Sequence, residues 1–148
     1  MSPIAVSAKF YGLFFKSAFN KEIDLDTDTI KIMLCTSSYT PDQDTHQYKS
    51  SVTNEVSGTG YTATGATLAS FTVAYDTSTN IIKLDATDPS WTTATITARY
   101  AVIYDASPGS DATRPLICYI DFGADVVASA GTLAITFDAA GLATVTVS

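Results

Sequence analysis

Residues 91–123 read WTTATITARYAVIYDASPGSDATRPLICYIDFG. Two apolar runs, 96–104 and 116–122, flank one turn-rich segment. In the second run Leu116, Cys118, Ile120 and Phe122 take alternate positions, the period of a strand with one buried face. Ser107, Pro108, Gly109, Ser110 and Asp111 supply turn chemistry between the runs. A hairpin is predicted, with its first arm divided or bent near Arg99. Trp91, just after Pro89, reads as a core plug at the sheet edge.

Outward from this hairpin the chain keeps to short strands. Residues 30–36, IKIMLCT, alternate Ile30, Ile32 and Leu34 with Lys31, Met33 and Cys35. Residues 66–75 form another run, with Phe71, Val73 and Tyr75 alternating and a slip of phase near Ser70. Turn residues at 77–80 precede a return strand at 81–86. Residues 132–137 and 142–147 close the chain. Seven or eight strands with turns between them predict a mainly β fold, an antiparallel β-sandwich or barrel, in a single domain of residues 1–148.

Two segments depart from the strand period. In residues 7–20, Phe10, Leu13, Phe14 and Ala18 recur at helical spacing, with Ser7 as N-cap. Tyr11, Phe15 and Phe19 make a second apolar stripe. Two stripes give more apolar surface than one core contact requires, so one of them is expected to dock on another subunit or be wedged under the sheet. Residues 37–65 form a long polar loop, with one or two helical turns expected at 50–56 and an end at Gly58-Thr59-Gly60. A structured excursion of this length is often an interface arm. Its rings Tyr39, Tyr48 and Tyr61 suit a wet contact surface.

Composition narrows the function classes. The net charge is −7, from 15 acidic and 8 basic residues. The basic residues are scattered, which disfavours nucleic acid and anionic membrane surfaces. Only 16% of residues are charged, and Thr, Ser and Ala take their place. Cys35 and Cys118 fall inside strands and read as buried thiols. The first ten residues lack a basic stretch followed by a long apolar core and predict no signal peptide; residues 5–19 are too short and too interrupted by lysines to span a membrane. A soluble product of the cytoplasm is expected.

Candidate chemistry is sparse. Glu22, Asp24, Asp26 and Asp28 at alternate positions would share one face of a strand edge. They resemble the start of a calcium loop but place Thr29 where glycine is needed and Cys35 where the closing glutamate is needed. Asp42, Asp44 and His46 could meet a cation only with further ligands. No nucleophile elbow accompanies His46, the only histidine, and no phosphate-cradling loop is present. No catalytic residue, cofactor site or metal site is therefore assigned.

Three segments together resemble a family of small structural proteins encoded among the head genes of tailed bacteriophages. They are IKIMLCTSSYTPDQDTHQY, VTNEVSGTGYTATGATL, and ITARYAVIYD with the later PLICYIDFG. The resemblance implies a non-enzymatic virion component made in the bacterial cytoplasm. It implies a capsid decoration (cement) protein on the capsid surface, partnered by the major capsid protein and by its own copies around a symmetry axis. Phe10, Tyr11, Phe15, Phe19, Tyr39, Tyr48 and Tyr61 are the expected contact residues. The same pattern also suits a tail, neck or fibre domain that binds a receptor or carbohydrate.

Overall fold

The computed structural model describes residues 4–6 and 8–148, with side chains from residue 8 onward. Nine strands and one helix lie among them, in the order β1 (Ile4–Val6), β2 (Lys9–Phe10), α1 (Gly12–Phe19), β3 (Ile30–Cys35), β4 (Ala66–Thr67), β5 (Thr72–Asp76), β6 (Ile81–Asp85), β7 (Ser90–Asp105), β8 (Leu116–Phe137) and β9 (Ala143–Thr146). The large sheet runs β1-β8-β7-β3-β4, with β2 also on β8; the small sheet runs β5-β6-β9. The sheets face each other as a sandwich and do not close into a barrel. All pairings are antiparallel except β1 with β8, which is parallel.

The 91–123 hairpin is present and longer than its sequence signal. Thr92–Ala98 and Arg99–Tyr104 are one strand, β7, and its register against β8 shifts between Ala98 and Tyr100. The expected bend at Arg99 falls at this irregularity, where Arg99 of β7 stands opposite residues 122–125 of β8 with no paired partner, and the strand twists. β8 continues unbroken from Leu116 through the Gly- and Ala-containing residues 123–131, where no strand was expected. A second shift, between Ile103 and Tyr104 of β7, corrects the predicted face of β8: Ile103 pairs with Cys118 and Tyr104 with Leu116, so Ile117 is the extra residue. Cys118 and Ile120 stay in the main core, with Phe122 packed against it, while Leu116 turns to the opposite face.

Both faces of the central strands are buried. Ile30, Ile32, Leu34, Ala101 and Ile103 face the main core, which Leu84, Leu142 and Ala143 reach from the small-sheet side. Met33, Cys35, Val102, Tyr104 and Leu116 form a second cluster with Tyr11 and Tyr39. At roughly 1.5–3 kcal/mol per buried large aliphatic side chain, these two layers account for most of the favourable burial. Trp91 plugs the core as expected, and Cys35 and Cys118 are free buried thiols in different clusters.

The helix starts later than its apolar period suggests. Ser7, the expected N-cap, lies outside the described residues. Lys9 and Phe10 pair with Tyr119 and Cys118 as strand, and the Tyr11 N–H donates to the Ile117 carbonyl (3.1 Å). With these backbone groups committed to β8, the helix begins at Gly12, whose N–H donates to the Gln43 carbonyl (2.8 Å). The slip near Ser70 marks a break: Ser70 has φ +54°, and the single expected strand is β4 of one sheet and β5 of the other. No helix among the described residues is long and apolar enough to cross a membrane.

Candidate functional site

The 37–65 excursion, expected to be an arm, lies fastened along the large sheet. The helical turns expected at 50–56 are replaced by one 3-10 turn, Lys49–Ser51, followed by extended Val52. Beyond it the Val56 N–H donates to the Leu34 carbonyl and the Thr95 N–H to the Thr59 carbonyl, each at 2.9 Å. The excursion thus takes up a carbonyl of β3 and an amide of β7 that the sheet pairing leaves free. Gly65 makes the closest approach: at φ +83°, a Cβ built there would sit 2.0 Å from the Ile32 carbonyl oxygen. Only glycine fits both the conformation and the space.

Tyrosine hydroxyls complete the fastening. The Tyr61 hydroxyl accepts from the Leu34 N–H (3.0 Å) and donates to Glu55 Oε1 (2.7 Å), which also accepts from the Thr64 N–H (2.6 Å). The Tyr104 hydroxyl donates to the Thr64 carbonyl at 2.7 Å. The Tyr11 and Tyr39 hydroxyls are hydrogen-bonded at 2.8 Å, and Tyr39 reaches His46 Nδ1 at 3.0 Å. Burial is the main force raising the Tyr39 hydroxyl to a pKa of about 12, and it raises Tyr11 and Tyr61 as well. These phenols stay protonated and act as fixed hydrogen-bonding pegs. Lys49, almost fully buried, pairs with Asp111 at 2.8 Å and ties the excursion to the 106–115 loop.

The seven expected contact residues therefore divide. Tyr11 and Tyr39 are fully buried, so neither presents a ring to a partner; Tyr11 reads as part of a second helical stripe and Tyr39 as part of a polar loop, and neither pattern marks a buried phenol pair. Phe10 and Phe15 are half-buried and packed on the main core, with Phe10 stacked on Phe14 at 5.3 Å. Tyr48 is half-buried, its hydroxyl donating to Glu22 Oε2 at 3.0 Å, and Tyr61 is half-buried beside Trp91. Phe19 alone stands free, 84% exposed at the end of α1.

Near Phe19 the molecule leaves other apolar surface uncovered. Val73 and Tyr75 on β5 lie directly opposite Leu84 and Ile82 on β6. Residues opposite each other in a pair share a face, so Val73 and Tyr75 continue the core-facing side of the small sheet. β5 is an edge strand of the small sheet, and these two residues are 40% and 51% exposed. Val73 borders a groove of about 480 Å³ lined also by Ala18, Ile23 and Leu25 and by the charged Lys21, Asp24 and Asp26. From the sequence, Val73 and Tyr75 read as ordinary sheet residues. Their alternation is that of a buried face, and nothing in it marks the edge of the covering sheet.

The acidic segments are turns. Glu22 to Asp28 does not form the expected strand edge: the Asp24 N–H donates to Asp28 Oδ2 (2.7 Å) and the Asp26 N–H to Asp24 Oδ1 (3.0 Å). Short carboxylates that bond their own backbone favour turns over strands. Ile23 and Leu25 still point inward. Asp42 Oδ1 likewise accepts from the N–H groups of Asp44 (2.9 Å) and Thr45 (3.1 Å). Bonds to the Thr45 side chain and to these amides hold its pKa below the ordinary value. Among the described residues no three His, Cys, Asp or Glu side chains gather to hold a metal ion.

No family model matches the sequence, and no curated protein or solved structure matches it.

Proposed function

We propose that this chain is a non-enzymatic structural protein of a tailed-phage virion, a decoration protein that docks on the major capsid protein. The observation that carries the reading is the uncovered continuation of the core-facing side at Val73 and Tyr75, beside exposed Phe19 and the groove lined by Ala18, Ile23 and Leu25. Contiguous apolar surface with a polar rim is where proteins meet proteins. The likeness of residues 30–123 to phage head proteins supports the same reading. A carbohydrate platform built on Tyr39 and Tyr61 finds less support, because one ring is buried and the other has its hydroxyl committed.

Many copies on a symmetric shell would stabilise it by mass action. The test is co-sedimentation with expanded shells that lack the protein. Wild-type chain should bind saturably, at a stoichiometry matching a symmetry axis. Phe19→Ser combined with Val73→Ser should weaken binding at least tenfold, with the melting temperature unchanged. Wild-type protein that stays in the supernatant with such shells would refute the reading.

A further inference from the structure

We infer that the polar cavity between β3, the end of β7 and the 106–115 loop is a binding site for a small oxyanion, a carboxylate or a phosphate. The cavity measures about 460 Å³ and is lined by Thr29, Lys31, Thr64, Tyr104, Ser107 and Arg114. It lies apart from the Val73 groove and does not depend on the docking role given to it.

Backbone pairing fixes its floor. Lys31 and Tyr104 are directly opposite in the β3–β7 register, so both side chains rise from one face. Asp105, the next residue along β7, alternates to the other face and is buried there. Thr64 of the excursion closes one side, its Oγ1 accepting from Lys31 Nζ at 3.0 Å and its carbonyl accepting from the Tyr104 hydroxyl at 2.7 Å. Arg114 closes the other, its Nε donating to the Pro108 carbonyl (2.9 Å) and its Nη1 to Asp111 Oδ1 (2.9 Å). These two bonds orient the guanidinium and leave Nη2 without a partner among the described residues. The Ser107 hydroxyl accepts from the Thr29 N–H at 2.8 Å and lies beside the Asp105 carboxyl.

Charge makes the cavity unusual in this chain. The protein carries −7 overall, yet Lys31 and Arg114, two of its eight cations, line this cavity. Asp111 is shared by Lys49 and Arg114, and Glu55 Oε1 is occupied by the Tyr61 hydroxyl and the Thr64 N–H. Among the described residues no carboxylate forms an ion pair with Lys31. A cation held by a neutral hydroxyl, with an oriented guanidinium on the same wall, matches the several acceptor oxygens of an oxyanion.

The test is a titration of the ¹⁵N-labelled full chain followed by amide shifts. Sodium phosphate and sodium glutamate are used in separate arms, against sodium chloride at equal ionic strength. Saturable shifts are expected at Thr29, Lys31, Thr64 and Ser107, lost in Lys31→Met and recovered at least in part in Lys31→Arg. Saturation by phosphate alone or by glutamate alone supports the site and names its ligand class; saturation by both supports a general oxyanion site. Shifts that never saturate in either arm, that chloride reproduces, or that persist in Lys31→Met overturn the proposal.

Discussion

The excursion at residues 37–65 and the β5–β6 hairpin both carry Thr, Ser and Tyr, and both lie outside the most apolar strands. The structure treats them in opposite ways. The excursion is sewn to the sheet by buried or half-buried phenols, an N–H ladder and a glycine that touches backbone. The hairpin is held on one side only, by β9, and every residue of β5 is exposed. Composition did not separate the two. What did was whether polar side chains found partners in the fold, which depends on residues far away in sequence.

The sharpest way to break the comparison is Gly65→Ala. The added methyl would collide with the Ile32 carbonyl at a positive φ, and a loss of about 3 kcal/mol or more is expected in urea unfolding. Gly109→Ala is the control, since nothing lies within 4 Å of its Cβ. Equal midpoint shifts in the two variants would mean that the excursion is not fastened at Gly65.

Acid gives a second, somewhat smaller effect. Asp105 is fully buried, its Oδ2 without a hydrogen-bond partner among the described residues, and burial first, then the neighbouring Asp28 carboxyl, lifts its pKa from 3.8 to about 6; the Ser107 N–H bond acts in the opposite sense. Between those two values the folded chain holds a proton that the unfolded chain has released. Stability from this group therefore falls as pH rises from about 4 to about 6, and the deficit, on the order of 2 kcal/mol, is complete above that window. Asp105→Asn keeps an acceptor for the Ser107 N–H and should be more stable than wild type at pH 7 but not at pH 4. A variant that gains nothing at pH 7 would place the titration elsewhere.

Tyr61→Phe removes both the acceptor of the Leu34 N–H and the donor to Glu55. It should cost roughly 1–3 kcal/mol. Tyr75→Phe removes only an exposed bond to Asn80 and should fall within about 0.5 kcal/mol of wild type. Chemical denaturation of both side by side measures the contrast directly, and similar losses would erase it. The smallest change is expected from Val73→Thr, which trims exposed apolar surface and should leave stability within about 0.5 kcal/mol.

Much of the fold was legible because period and turn chemistry are local. Ile30, Ile32 and Leu34 announce β3, and the 107–111 turn announces the central hairpin. Two kinds of fact were hidden. Bulges were the first: the extra residue at Ile117 turns Leu116 to the second face, and no spacing rule marks where a ladder will slip. The second was the pairing of polar groups at long range. Tyr11 and Tyr39 stand 28 residues apart, and only their meeting shows that both are interior. Phe19 was legible as a surface ring for a plain reason: it ends the helix, beyond the reach of the sheet.

The parallel pairing of Ile4–Val6 with Ile135–Phe137 also bears on how the protein is made. The first strand can find its partner only after nearly the whole chain has been synthesised. Until then β1, made first, has no partner, and before β8 is made β7 lacks its neighbour on that side, so the large sheet has an open edge. Loop closure over such a span is entropically costly before it is rewarded, which slows folding. Nascent chains should therefore pass through a stage with this edge unpaired, when strand-to-strand association between copies is easiest.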